Sequence, residues 1–143
     1  MLELNNVDLR SDPAAASYAK DEVVDVVFAE TDGQLSSREG ANHFQAGDAL
    51  ITGSTGDQWS VSQDRFHAKY DPTRGVTAGS AGKYQSKPVP VLARQMSTPF
   101  TIKRSKVGDL LRGLAHDWLL QYAPGDFGIV ENTRFKAVYR RCE

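Results

Sequence analysis

One stretch of this chain occurs twice. Residues 45–70 read QAGDALITGSTGDQWSVSQDRFHAKY and residues 114–139 read LAHDWLLQYAPGDFGIVENTRFKAVY; a shift of 69 positions, without a gap, makes ten of the 26 pairs identical. The pairs are Ala46/Ala115, Asp48/Asp117, Leu50/Leu119, Gly56/Gly125, Asp57/Asp126, Val61/Val130, Arg65/Arg134, Phe66/Phe135, Ala68/Ala137 and Tyr70/Tyr139. A recurrence at a fixed period marks one supersecondary unit built twice, so any structure assigned to one copy must suit the other. In the first copy, Ala49–Thr52 and Trp59–Ser62 are strand-like and flank the turn-forming Gly53-Ser54-Thr55-Gly56-Asp57. In the second, residues 117–122 and Phe127–Val130 flank Ala123-Pro124-Gly125-Asp126. That is the layout of a β-hairpin. Both copies then end in RFxAxY, which places Phe66 and Tyr70, four apart, on one face of a single helical turn.

The period also settles a conflict. Val107, Leu110, Leu111, Leu114 and Trp118 have the spacing of an amphipathic helix. Yet the repeat aligns Asp117–Gln121 with a segment flanked by Gly47 and Gly53, and Gly108 and Gly113 would each cost a helix ~1 kcal/mol. Two short strands are therefore expected, near 109–112 and 117–122. The first hairpin strand is continuously apolar in both copies, Ala49-Leu50-Ile51 and Trp118-Leu119-Leu120, so both of its faces should be covered.

Around the repeats, residues 22–30 (EVVDVVFAE), Gln34–Ser37, residues 88–93 (PVPVLA) and Phe100–Lys103 read as strands. Pro88 and Pro90 confine theirs to an edge or a strand start. Asp12-Pro13 has the form of a helix start, Asp as cap and Pro at the first position, so residues 13–20 are expected as a short helix or a loose arm. Residues 72–87 lack bulky side chains almost throughout and read as a flexible linker. The expected organisation is an arm or short helix at 1–21, a first β unit at 22–71, a linker at 72–87 and a second β unit at 88–143.

Composition narrows the setting. A chain of 143 residues with 40% apolar content can bury one ordinary core or two small ones. Its only cysteine, Cys142, excludes an internal disulfide. There is no apolar run of membrane length and no basic-then-apolar leader, which favours a cytoplasmic protein with no membrane partner. The net charge of −1 hides a split: residues 1–72 carry five Lys/Arg against 13 Asp/Glu, residues 73–143 carry 12 against five. Such asymmetry suits halves that attract one another, a homo-oligomer joined through acidic and basic halves, or nucleic-acid binding through the basic half.

Among the repeated residues, Asp48, Asp57, Asp117 and Asp126 are possible general acids or metal ligands, but Asp at turns ordinarily accepts from nearby backbone N–H groups. His43, His67 and His116 lack metal-ligand spacing, and none is matched by a His in the other copy. Neither a metal nor a cofactor is expected. Arg65 and Arg134 could grip an anion through their planar forks. Trp59 and Trp118 fall where the copies differ, and a pocket gained by one copy would appear at such positions. Those four residues are the candidate binding set. Cys142 has no base near it in sequence and is a poor nucleophile.

Pro124-Gly125-Asp126-Phe127-Gly128, with residues 117–122 (DWLLQY) before it and Arg134-Phe135 after, resembles the bacterial PGDYG protein family, with Phe127 in place of the motif's Tyr. Losing that hydroxyl argues against its being essential. The resemblance implies no activity, cofactor or catalytic residue. The fold expected from the residues is mainly β, a β-rich α+β chain of two small antiparallel sheet or barrel units related by internal duplication. The function expected first is a non-enzymatic module binding a small molecule or protein. An enzyme with a site between the repeats, using Asp48, Asp117, Arg65 and Arg134, is second, and nucleic-acid binding is third.

Overall fold

The computed structural model describes residues 1–37, 40–104 and 108–142; Val107, which opens the helix-like spacing, lies outside them. The chain starts with β1 (Leu2–Glu3), a 3₁₀ turn (Leu9–Ser11) and β2 (Ala16–Lys20). Next come β3 (Val23–Phe28), β4 (Gly33–Ser37), β5 (Gly40–Phe44), β6 (Ala49–Thr52), β7 (Gln58–Val61), α1 (Gln63–Lys69), β8 (Tyr70–Pro72) and β9 (Gly82–Ser86). The rest is β10 (Pro90–Gln95), β11 (Phe100–Lys103), β12 (Leu110–Gly113), β13 (Trp118–Ala123), β14 (Asp126–Val130), α2 (Asn132–Val138) and β15 (Tyr139–Arg141). The protein is mainly β; β1 runs parallel to β11, and the ladders joining β3, β6, β7, β8 and β9, β2, β10, β13 and β14, β4 and β5, and β11 and β12 are antiparallel.

Two compact units divide the chain. Unit 2 is continuous, Lys20–Val89, whereas unit 1 joins Met1–Ala19 to Pro90–Glu143. Unit 2 has a five-stranded sheet in the order β7-β6-β3-β9-β8 and a separate β4-β5 hairpin. Unit 1 has a five-stranded sheet in the order β14-β13-β10-β2-β15 and a second sheet, β1-β11-β12. The hairpin registers agree under the 69-residue shift: Ala49 faces Val61 and Leu50 faces Ser60, while Trp118 faces Val130 and Leu119 faces Ile129. The helices begin and end 69 residues apart.

In unit 2 one core lies between the sheet and α1, built from Val24, Val26, Ala49, Ile51, Phe66, Tyr70 and Tyr84. Phe66 stacks on Tyr70 with ring centres 5.0 Å apart. Unit 1 has the matching core, Ala93, Leu120, Phe135, Val138 and Tyr139, in which Phe135 stacks on Tyr139 at 4.7 Å. It also has another on the opposite sheet face, containing Leu9, Met96, Phe100, Ile102, Leu111, Leu119, Phe127 and Ile129. Consecutive residues of β13 therefore serve different cores, Leu119 one and Leu120 the other, and both are at most 1% exposed. On β6 the alternation is one-sided: Ala49 and Ile51 are buried and Leu50 half-buried.

Aromatic rings and glycines trade places between the hairpins. In β4-β5, Gly33 pairs with Phe44, and in β11-β12, Phe100 pairs with Gly113. Each ring lies over the glycine opposite: a Cβ on Gly33 would meet Phe44 at 2.6 Å, and one on Gly113 would collide with Phe100. The left-handed position before each repeated Asp turn differs instead in residue type, Gly47 with φ 92° and His116 with φ 76°, a conformation in which a side chain is disfavoured.

Two expectations need correction. Residues 13–20 form no helix; Asp12 Oδ1 accepts from the Ala14 N–H at 2.8 Å to close a turn, and β2 begins at Ala16. Packing decides this, because an extended β2 sets the Tyr18 ring edge-on to Phe135 at 4.9 Å. The expected linker at 72–87 contains β8's last residue and all of β9. Tyr84 is fully buried, its hydroxyl donating to the Ser80 carbonyl at 2.7 Å and accepting from the Gly79 N–H at 3.1 Å. The small residues of 73–81 are those that let backbone close around that hydroxyl. Pro90 does occupy the start of its strand, although β10 is central in its sheet.

Candidate functional site

The repeated aspartates at the start of each hairpin brace their own turns. Asp48 Oδ2 accepts from the Gln45 N–H at 2.9 Å and Asp117 Oδ2 from the Leu114 N–H at 2.9 Å. The two arginines differ: Arg65 is exposed on α1, and Arg134 is buried on α2 at 6% exposure. Trp118 stacks on Phe135 at 3.9 Å and donates its indole N–H to Asn132 Oδ1 at 3.0 Å. It is part of the α2 core.

Trp59 lies in a polar cluster of unit 2. Lys20 Nζ sits 4.3 Å from the centre of the Trp59 ring, 3.0 Å from Tyr70 Oη and 3.6 Å from Glu22 Oε1. The Glu22 side chain is wholly enclosed, and its Oε2 accepts from the Ser54 N–H at 2.8 Å and the Ser54 hydroxyl at 2.7 Å. A desolvated carboxylate is tolerable when a cation and hydrogen bonds satisfy it, and a π face adds to the hold on the ammonium. The cluster is a brace particular to this unit. Under the same shift, unit 1 has Ala123 and Gly128 where unit 2 has Ser54 and Trp59. The Tyr122 ring covers that glycine; a Cβ there would lie 2.5 Å from its hydroxyl.

Unit 1 contains a groove of about 190 Å³ at one end of its sheet. Pro90, Val91 and Leu92 of β10 line it, with Ser17 of β2, Arg10 of the 3₁₀ turn and Gln121–Pro124 at the end of β13. Register explains the assembly: Leu92 pairs with Ser17 on one side and Gln121 on the other. A bulge between Gln121 and Ala123 displaces Tyr122 from the regular ladder, and Gly125 in the turn beyond has φ 77°, as glycine permits.

The polar rim of the groove is ordered by Asp8. Its carboxylate accepts from Arg10 Nε at 3.0 Å and Arg10 Nη2 at 2.7 Å, and from the Arg10 N–H at 3.0 Å. The bonds from the Arg10 side chain and backbone hold the Asp8 carboxyl down at about 2, and Asp8 raises the guanidinium above its ordinary value. Gln121 Oε1 accepts the Leu9 N–H at 2.6 Å, which fixes the 3₁₀ turn to the sheet. Asp12 is also held below the ordinary carboxylate value, first by the Ala14 N–H and then by Arg94, whose Nη1 is 2.7 Å from Asp12 Oδ2. Arg10 Nη1 and the Ser17 hydroxyl are the groove's uncommitted polar groups among the described residues.

Residues 40–140 match the family model described as PGDYG protein. The chain belongs to the PGDYG protein family. Comparison with curated proteins and with solved structures found no match. The PGDYG motif forms a turn here, one edge of which borders the groove. Phe127, in the motif's Tyr position, is 6% exposed in the second core of unit 1, while Pro124 forms a wall of the groove. None of the four candidate residues lines this groove, and the sequence reading gave no binding role to Arg10, Ser17, Gln121 or Tyr122, which do line it. Gln121, Tyr122 and Pro124 lie in the stretch that carries the family resemblance, whereas Arg10 and Ser17 reach the groove only through the pairing of β2 with β10. Among the described residues no group of His, Cys, Asp or Glu could hold a metal ion, and no helix is long and apolar enough to cross a membrane.

The charge split changes on the folded units. Unit 2 has seven Lys/Arg and ten Asp/Glu, −3, and unit 1 has ten and eight, +2. Acidic residues 3, 8 and 12 belong to the unit that holds the basic C-terminal half, and Asp12 pairs with Arg94 there.

Proposed function

We propose that this PGDYG protein is a non-enzymatic binding module whose ligand site is the groove beside the Pro124-Gly125 turn. The carrying observation is the convergence of an apolar floor (Pro90, Val91, Leu92, Pro124) with uncommitted donors on Arg10 and Ser17. Pockets that enclose drug-sized ligands are typically ~300–1,000 Å³, so this one suits a molecule of amino-acid size or the side chain of a bound peptide. A carboxylate head would take Arg10 Nη1 while Asp8 keeps Nε and Nη2 in place, and an apolar body would lie on the prolines. The local duties of Asp48 and Asp117 support binding over catalysis by those residues. An exposed thiol at Cys142 suits a reducing cytoplasm.

The test is a heteronuclear NMR titration of the full chain with small apolar carboxylates. Shifts at Ser17, Val91 and Ala123, weakened roughly tenfold (~1.4 kcal/mol) by Arg10→Ala, are expected. Unmoved resonances at millimolar ligand, or turnover of a candidate compound, would sink it.

We also infer that the units descend from one repeat of about 69 residues. Supporting this are the common strand order, the matching hairpin registers and the ring–glycine exchange, in which each hairpin keeps one phenylalanine over one glycine.

A further inference from the structure

We propose that residues 1–19 are a closing segment: unit 1 holds them as it would hold a bound peptide, by strand register and side-chain burial, while unit 2 is complete without them. The first support is topological. Unit 2 is continuous in sequence, and its central strand β3 pairs with β9, Val24 facing Tyr84. In unit 1 the central strand β10 pairs at the corresponding place with β2, Val91 facing Tyr18. The two sheets thus have one strand order but different chain order. In unit 2 the closing strand comes last, after β8; in unit 1 it comes first, ahead of the whole of unit 2. Each unit is a circular permutant of the other.

The second support is where the segment lies. β2 is interior to its sheet, between β10 and β15, and the Cys142 N–H donates to the Ser17 carbonyl at 3.0 Å. Its loss would strip partners from both neighbours. Ahead of β2 the same segment adds β1 in parallel to β11, inserts Leu9 (2% exposed) into the core with Phe100 and Leu119, and pairs Asp12 with Arg94. Adding a strand through main-chain bonds, with alternate side chains in pockets, is the general way a folded domain takes up an extended peptide. The only covalent tie between β2 and β3 is the dipeptide Asp21-Glu22.

The full-length chain with a protease recognition sequence inserted between Ala19 and Lys20, where unit 1 gives way to unit 2, cut after folding, tests this. The nicked protein should keep the hydrogen-exchange pattern of the intact one, and excess labelled peptide 1–19 should exchange into it. When mild denaturant releases the peptide, amides in 90–142 should exchange at least about tenfold faster while those in 23–86 keep their protection. Loss of protection in both ranges together, or peptide release that leaves 90–142 protected, overturns the proposal. Should the insertion prevent folding, a second full-length variant decides: a circular permutant with Glu143 joined to Met1 by a flexible linker and opened between Ala19 and Lys20. Its closing strand follows β15 as β9 follows β8. Native protection in both units is expected, and a permutant that protects 23–86 but not 90–142 overturns the proposal.

Discussion

Unit 1 and unit 2 share a sheet, a helix and a hairpin register, yet one buries both faces of its sheet and the other buries one. The helix faces are equivalent, with Phe66 or Phe135 stacked on the tyrosine four residues on. On the opposite face, unit 1 has Leu119, Phe127 and Ile129 where unit 2 has Leu50, Gln58 and Ser60. There Val23 and Val27 of β3 are 43% and 55% exposed, and Asp25 pairs with Lys83 across the strands at 2.9 Å. A framework of this size can thus stand on one apolar layer if the other face is polar enough for water. The second layer, where present, is what recruits the segment carrying Leu9 and Arg10, and with it the rim of the groove.

The largest effects should fall where the units agree. Phe66→Ala and Phe135→Ala should each cost ~3–5 kcal/mol, with residue-resolved hydrogen exchange showing the loss in unit 2 for the first and in unit 1 for the second. A large cost for only one would break the equivalence of the helix faces. Next come paired changes on the opposite face. Leu119→Ala should cost ~2–5 kcal/mol in urea unfolding, and Leu50→Ala less than about half of that, because Leu50 is only half-buried. Equal costs would mean that both units bury this face.

Smaller differences sharpen the comparison at single bonds. Gln121→Ala leaves the buried Leu9 N–H without its acceptor and should cost ~1–3 kcal/mol; Thr52→Ala, at the matching place, should stay within ~0.5 kcal/mol. The Glu131 carboxylate caps α2, accepting from the Thr133 and Arg134 N–H groups at 3.0 and 3.1 Å, whereas the Ser62 side chain makes no such bond at α1. Glu131→Ala should therefore cost ~1 kcal/mol and Ser62→Ala about nothing, by thermal unfolding. A comparable loss from Ser62→Ala would show the caps to be equivalent.

The smallest effect is acid sensitivity of the closing segment. Asp8 titrates at about 2 when folded, below the ~3.9 of an unfolded Asp. Its folded value is depressed, so its stabilisation is present above ~4 and disappears as pH falls through about 2. Side-chain carboxyl NMR should place its midpoint near 2, and Asp8→Asn should flatten that part of the pH dependence of protection in residues 9–15. A midpoint near 4 would mean that Arg10 does not hold the rim.

Much of each unit was legible locally. Gly-Asp turns, apolar runs and the RFxAxY endings name hairpins and helical turns through contacts a few residues apart, and the 69-residue period corrected the helix-like spacing around Leu110–Trp118. The groove was not legible, because Arg10 and Ser17 meet Leu92 and Gln121 only across roughly 75 to 110 residues of chain. Nor was the closing strand: β2 and β9 have weak strand signals by themselves, and Tyr18 and Tyr84 become core residues only once β10 and β3 lie beside them.

By itself the sequence determined the period, the hairpins, the helical start of each RFxAxY ending and the membership in the PGDYG family, since each depends on dihedral preference and short-range spacing. Tertiary structure alone decided which strand closes which sheet and where the charges go. It assigned residues 1–19 to the unit formed by the other end of the chain, and so reduced a split of −8 and +7 to −3 and +2. The physical reason is that a β ladder is satisfied by any extended partner of suitable register, near or far in sequence. The choice between β2 and β9 is made by the side chains each packs, and these meet only in the folded protein.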